Sequence, residues 1–102
     1  MPKTLKPTRQ ERDAFRAVLT LARKAGFRVP TIRLRVVDRI RGAHGYASDR
    51  LVTIERPSFD IELLCHEVAH VLANQIVARD AADHGRFWAL AYGVLYQQCI
   101  QR

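Results

Sequence analysis

The chain has 102 residues, with 48% apolar and 26% charged side chains, so we expect a single folded domain over residues 1–102 rather than a disordered chain. Its net charge of +7 indicates an anionic partner, such as nucleic acid or an acidic protein. No apolar run approaches the roughly 18 residues that span a bilayer, and no apolar stretch follows the basic N-terminus as in a signal peptide. The two cysteines do not suggest a disulfide scaffold. We therefore expect a cytoplasmic protein with no membrane partner.

The N-terminal quarter of the chain predicts a tail followed by a helix. Residues 1–7 contain two prolines and two lysines and are interpreted as a loose basic tail. Thr8 and Glu11 have the spacing of a capping box, which begins a helix over about 8–25. Gly26 is placed to end that helix.

A small three-stranded sheet is predicted next. Residues 31–36 alternate between apolar residues and arginines, which is typical of a half-buried strand. The segments 46–47 and 51–54 flank a Ser-Asp-Arg turn, so they are predicted to form a hairpin.

Two further helices are predicted in the C-terminal half. Ser58 can cap the first, over about 59–78, and Asp83 can cap the second, over about 84–100. The order of a helix, three strands and two helices indicates an α+β fold.

A histidine motif lies inside the helix predicted over 59–78. Residues 66–70 read His-Glu-Val-Ala-His, and residues four apart lie one turn above each other on the same face of a helix. His66 and His70 can therefore both reach one Zn²⁺, for which nitrogen ligands lie at about 2.0–2.1 Å. Glu67 is rotated away from His66 and can act as a general base on water.

The same helix has an apolar face that we expect to be buried. The residues of this face are Ile61, Leu64, Val68, Val71 and Leu72. The alternative to a metal site is a helix with two hydrogen-bonded histidines and a surface glutamate, because short motifs also occur by chance.

A catalytic zinc needs three protein ligands, and few candidates follow His70. These candidates are Asp80, Asp83, His84 and Cys99. Cys99 is expected to pack in the core. His84 is favoured, because the following Gly85 lets the backbone pass close to a metal, and an aspartate ligand is the alternative.

Taken with the motif at 66–70, the segment 84–88, His-Gly-Arg-Phe-Trp, resembles the SprT-like zinc metallopeptidases and related small zincins of actinobacteria and their phages. The resemblance covers about residues 30–102 and implies a minimal zincin-like fold with zinc-dependent hydrolysis of peptide bonds. The residues it assigns are the zinc ligands His66, His70 and His84 and the catalytic Glu67.

A peptidase must also hold its substrate and stabilise the developing oxyanion. Residues 46–48 are expected to form an edge strand that binds an extended peptide, an interpretation that follows partly from the resemblance. Four residues are candidates for the oxyanion stabiliser: His44, Tyr46, Arg86 and Tyr92.

Two alternatives to a peptidase remain at this point, a nucleic-acid-associated protein and a catalytically inactive zincin-fold binding module. Residues 1–50 carry a net charge of +9, whereas residues 51–102, which hold the histidine motif, carry −2. The N-terminal half is therefore the part expected to bind nucleic acid or an acidic protein, and a protein or peptide is the expected substrate.

Overall fold

The computed structural model describes residues 2–76 and 85–101, which form three helices and a four-stranded mixed sheet. The strands are β1 (Thr4–Leu5), β2 (Arg33–Val37), β3 (Gly45–Ser48) and β4 (Leu51–Glu55). The helices are α1 (Arg9–Lys24), α2 (Ile61–Ile76) and α3 (Arg86–Cys99), and a short 3-10 turn, Arg56–Ser58, follows β4. The predicted α+β class is confirmed, but the sheet has four strands rather than three.

The extra strand lies within residues 1–7, which are predicted to form a loose tail. Thr4 and Leu5 pair antiparallel with the end of β2. The backbone N–H of Lys3 also donates to the Asp38 carboxylate at 2.8 Å. A two-residue strand is too short to show alternation, so only its pairing partner reveals it.

The predicted hairpin is confirmed, and it places β3 at an edge of the sheet. The strand order is β1-β2-β4-β3, with β2 and β4 parallel and β3 antiparallel to β4. Asp49 in the turn has a φ of 54°, the left-handed conformation that tight hairpin turns require. Among the described residues, β3 is therefore an edge strand, as the sequence predicts for residues 46–48.

Helix α1 begins and ends where its capping residues predict. The N–H of Glu11 donates to the Thr8 hydroxyl at 3.1 Å, and the Glu11 carboxylate accepts from the N–H of Thr8 at 2.7 Å. Gly26 has a φ of +99°, which a side chain disfavours, so the helix stops before it.

The start of each C-terminal helix differs from its prediction. Asp60, not Ser58, caps α2, because its carboxylate accepts from the N–H of Leu63 at 2.7 Å. Gly85 is the cap residue of α3, and the predicted cap Asp83 lies outside the described residues. The hydroxyl of Ser58 instead donates to Glu55 at 2.6 Å.

The core joins all three helices to β4, and α2 lies at its centre. Four of the five apolar residues predicted on the buried face of α2 are indeed buried, namely Leu64, Val68, Val71 and Leu72. Ile61, the first residue of the helix, is 36% exposed. Cys99 packs against the core, as predicted.

Across residues 2–76 and 85–101, none of the helices has the length and apolar character needed to cross a membrane.

Candidate metal centre

Helix α2 brings the two histidines of the motif together on one side. The ring centroids of His66 and His70 are 5.1 Å apart, with planes inclined at 69°, and both side chains are half-buried. The ligand atoms of His66, Glu67 and His70 all lie within 4.8 Å of one another. Two imidazoles this close, one helical turn apart, fit a zinc ion, which prefers nitrogen ligands of this kind.

Aromatic residues of α3 pack beside the two histidines. The indole N–H of Trp88 donates to the backbone carbonyl of His66 at 3.1 Å, and its ring stacks on His70 with centroids 5.4 Å apart. Tyr92 stacks on Trp88 at 5.1 Å with the planes only 10° apart. This stack fixes α3 against the face of α2 that carries the histidines.

Glu67 is buried at the same turn of α2. Its side chain is only 5% exposed, and its Oε2 lies 4.0 Å from Nε2 of His66. Burial raises the pKa of Glu67 from 4.5 to about 7, because the charged form loses hydration. A cation bound by the histidines would lower that pKa, since opposite charge favours the carboxylate. The alternative with a surface glutamate does not fit this arrangement.

The carboxylate of Glu67 lies next to Gly45 in the edge strand β3. A Cβ atom placed on Gly45 would lie 3.5 Å from Oε2 of Glu67 and 3.0 Å from the backbone oxygen of Thr53. The second distance is shorter than ordinary van der Waals contact, so glycine is what permits β3 to lie this close to β4 beside Glu67. The sequence analysis missed Gly45, although a glycine beside a predicted strand is a signal for close approach of another group.

His44 is held next to this centre by a buried carboxylate. Its Nδ1 lies 2.9 Å from Oε2 of Glu55 and 3.0 Å from the hydroxyl of Ser58. Hydrogen bonds from His44, from Ser58 and from the N–H of Ile40 lower the pKa of Glu55 to about 2. Because Nδ1 is engaged and the side chain is 75% exposed, Nε2 is the nitrogen through which His44 can meet a ligand.

A cavity of about 420 Å³ connects His44 with His66. Its lining residues are His44, Ser58, Asp60, Glu62, Leu63, His66 and Tyr92. Of the four candidates for the oxyanion stabiliser, His44 and Tyr92 therefore lie beside His66. Tyr46 instead accepts a hydrogen bond from Arg35, and Arg86 is exposed at the start of α3 without lining this cavity.

The predicted third ligand, His84, lies outside the described residues, as do the alternatives Asp80 and Asp83. Cys99 is described, and it packs against the core near Cys65 rather than joining the group formed by the motif residues. His84 therefore stays a prediction.

No match to this chain was found among models of protein families, curated proteins or solved structures. The function of the cluster must accordingly be inferred from its own geometry and chemistry.

Purified protein should bind about one Zn²⁺ per chain. Replacing His66 or His70 with alanine should weaken zinc binding by more than about 100-fold, because each removes a direct ligand where loss of an outer-shell contact already costs 10–100-fold. The measurement is zinc content by mass spectrometry after dialysis against a competing chelator.

His84→Ala tests the predicted third ligand in the same assay, and His44→Ala is the matched control because it removes the remaining histidine. Zinc content that is equal in wild type, His66→Ala and His70→Ala would contradict the assignment of the site.

Proposed function

We propose that the protein is a zinc-dependent metallopeptidase with a minimal zincin-like fold. His66, His70 and His84 hold the metal, and Glu67 is the general base. The observation that carries the proposal is the position of the Glu67 carboxylate, which is buried between the histidine pair and the free edge strand β3. Burying a carboxylate costs free energy of folding, so a buried glutamate at this point favours a functional role over a purely structural one.

Bound Zn²⁺ supplies Lewis acidity, which polarises a carbonyl group and makes water easier to deprotonate. Glu67 accepts the proton of the attacking water on its carboxylate and then delivers it to the leaving amine. Its burial, 5% exposed, keeps this carboxylate poorly hydrated and therefore basic enough to accept a proton near neutral pH.

The edge strand β3 holds the substrate in this proposal. An extended peptide can add to the open edge of β3 through backbone hydrogen bonds, and this fixes its carbonyl groups in a regular row. Gly45 in β3 is the residue that lies against Glu67, so a peptide paired with β3 passes close to the base. Pairing by backbone groups accepts many sequences, which suits an unfolded protein or a flexible segment as substrate.

With both ring nitrogens protonated, His44 is the proposed donor, through Nε2–H, to the carbonyl oxygen as negative charge develops on it. Glu55 and Ser58 fix its Nδ1, so the ring is oriented before the substrate arrives. Its place on the cavity wall with His66 puts it on the same side of the site as the metal ligands.

Glu67→Gln should lower kcat/KM for an unfolded protein substrate by at least about 100-fold, because a positioned general base contributes roughly 10²–10⁴-fold. Zinc content should be unchanged, since glutamine keeps the size of the side chain and the histidines are intact. Proteolysis is measured by gel and mass spectrometry on zinc-loaded protein.

Asp13→Asn, which removes an exposed carboxylate from α1, is the matched control and should retain wild-type activity. Equal proteolysis by wild type and Glu67→Gln would contradict the role of Glu67. If wild type and variant are both inert toward unfolded and DNA-bound proteins, the inactive binding module is the better account.

Gly45→Ala should lower kcat/KM about tenfold or more, since small misplacements of a catalytic group are costly. The added Cβ would lie 3.0 Å from the Thr53 oxygen, so β3 must shift relative to β4, and its contact with Glu67 changes with it. Zinc content is measured in parallel and should stay at the wild-type level.

Gly93→Ala is the matched control, because a Cβ there meets nothing within 4 Å on the exposed side of α3. Full activity in Gly45→Ala would show that the close approach of β3 to Glu67 has no part in turnover.

A second candidate function, binding of an anionic partner, is favoured by a groove between α1 and β2. The groove has a volume of about 410 Å³, and its lining residues are Pro7, Arg12, Phe15, Arg16, Leu19, Ile32, Arg33 and Leu34. Three arginines around an apolar floor, with no acidic residue in the described lining, suit an acidic or phosphate-bearing chain. This function is compatible with a peptidase, because the groove does not include the histidine motif.

The double variant Arg16→Gln/Arg33→Gln should weaken binding of a single-stranded oligonucleotide about tenfold at 50 mM salt, and binding by wild type should fall as salt rises. Fluorescence anisotropy with the oligonucleotide and with a polyglutamate peptide distinguishes nucleic acid from acidic protein. Arg23→Gln/Arg28→Gln removes equal charge outside the groove and is the control. Equal losses in both double variants would assign the effect to net charge rather than to the groove.

A further inference from the structure

We propose that the cavity beside His66 is a specificity pocket for the side chain of a lysine or arginine of the substrate, with Glu62 as the main charge partner. This proposal rests on the proposed function in one respect, namely that the substrate is a peptide. Binding to the pocket can nevertheless be measured without turnover, so the two can fail separately.

The position of the cavity ties it to the residues next to the cleaved bond. The first two turns of α2 supply three of its seven lining residues, the cap residue Asp60 supplies a fourth, and Tyr92 of α3 closes another side. Because His66 belongs both to this lining and to the metal centre, a side chain in the cavity comes from a residue near the reacting carbonyl. The volume of about 420 Å³ lies within the roughly 300–1,000 Å³ typical of ligand pockets.

The charge of the cavity is opposite to that of the whole chain. The sequence has 17 Lys and Arg against 10 Asp and Glu, yet the described lining contains Asp60 and Glu62 and neither lysine nor arginine. The groove between α1 and β2 shows the reverse pattern, with arginines and no carboxylates among its described lining. A cationic side chain is therefore attracted to the part of the cavity that Asp60 and Glu62 line, away from a metal ion held by His66, and an anionic one is repelled there.

The local structure of α2 accounts for Asp60 but leaves Glu62 accessible. Asp60 caps α2 through the N–H of Leu63 at 2.7 Å, and a helix N-terminus in general favours acidic residues. Glu62 has no capping contact, and its one hydrogen bond in the described structure is a long one of 3.5 Å from the Tyr92 hydroxyl. Its exposed carboxylate can exchange that contact for a shorter, charge-assisted hydrogen bond to an ammonium or guanidinium group.

Tyr92 adds a second feature that suits a cation. Its ring is held in place by stacking on Trp88, with centroids 5.1 Å apart. The face or edge of a fixed tyrosine ring can pack along the apolar stem of lysine or arginine, and its π system attracts the charged end. A carboxylate beside a fixed aromatic ring therefore recognises both parts of such a side chain.

Zinc-loaded Glu67→Gln protein is the reagent that tests binding without cleavage. Fluorescent peptides of identical sequence, with Lys, Arg, Met or Glu at one position, are titrated by anisotropy, and the position is moved along the peptide. At one position, the Lys and Arg peptides should bind about tenfold more tightly than the Met peptide, and the Glu peptide more weakly still.

Variants of the pocket are compared in the same background. Adding Glu62→Gln should reduce the preference for Lys over Met to about twofold, and adding Glu62→Lys should reverse it in favour of the Glu peptide. Adding Asp13→Asn should leave the preference unchanged. This variant removes an exposed carboxylate from α1, which contributes no residue to the described lining of the cavity. Zinc content and circular dichroism confirm that each variant is folded and loaded.

The outcomes separate the pocket from the reaction. If a Glu62-dependent preference for Lys is seen but the wild type cleaves none of these peptides, the pocket is supported and the proposed function falls. If the wild type cleaves the peptides with no preference at any position, the pocket is overturned and the proposed function stands. A preference that persists unchanged in Glu62→Lys also overturns the pocket.

Discussion

The contact between helix α2 and the edge strand β3 at Gly45 is the constraint on which the candidate site depends. At this point a hydrogen atom stands where any other residue would place a Cβ, which would lie 3.5 Å from Glu67 and 3.0 Å from the backbone of β4. The Glu67 carboxylate thus lies next to the histidines of its own helix and to the strand at the edge of the sheet that the described residues form. The fold thus brings a buried carboxylate, two histidines and an edge strand to one place.

Positive and negative side chains are gathered at two different places on the molecule. Three arginines line a groove between α1 and β2, whereas the cavity next to His66 contains two carboxylates at the start of α2. A basic protein with a negatively charged pocket can bind an acidic partner on one surface and accept a cationic side chain at another. The net charge therefore gives information about the groove and not about the chemistry of the histidine motif.

Local sequence signals predicted the parts of the fold that depend on near neighbours. The capping box of Thr8 and Glu11, the hairpin around Asp49 and the one-turn spacing of His66 and His70 all depend on residues within about four positions. The strand β1, the approach of Gly45 to Glu67 and the pairing of His44 with Glu55 depend on residues 11 to 33 positions apart. Periodicity carries no information on such pairs, which is why the sequence suggested His44 and Tyr92 only as two of four candidates.

The central claim is that His66 and His70 hold a metal ion while Glu67 stays off it as a base. The most direct measurement is a crystal structure of zinc-loaded protein with anomalous diffraction at the zinc edge. The account predicts one ion bound by nitrogen atoms of His66, His70 and a third histidine, with the Glu67 carboxylate outside the ligand set and the cavity open beside it. An ion bound elsewhere, or one ligated by Glu67, would contradict the account.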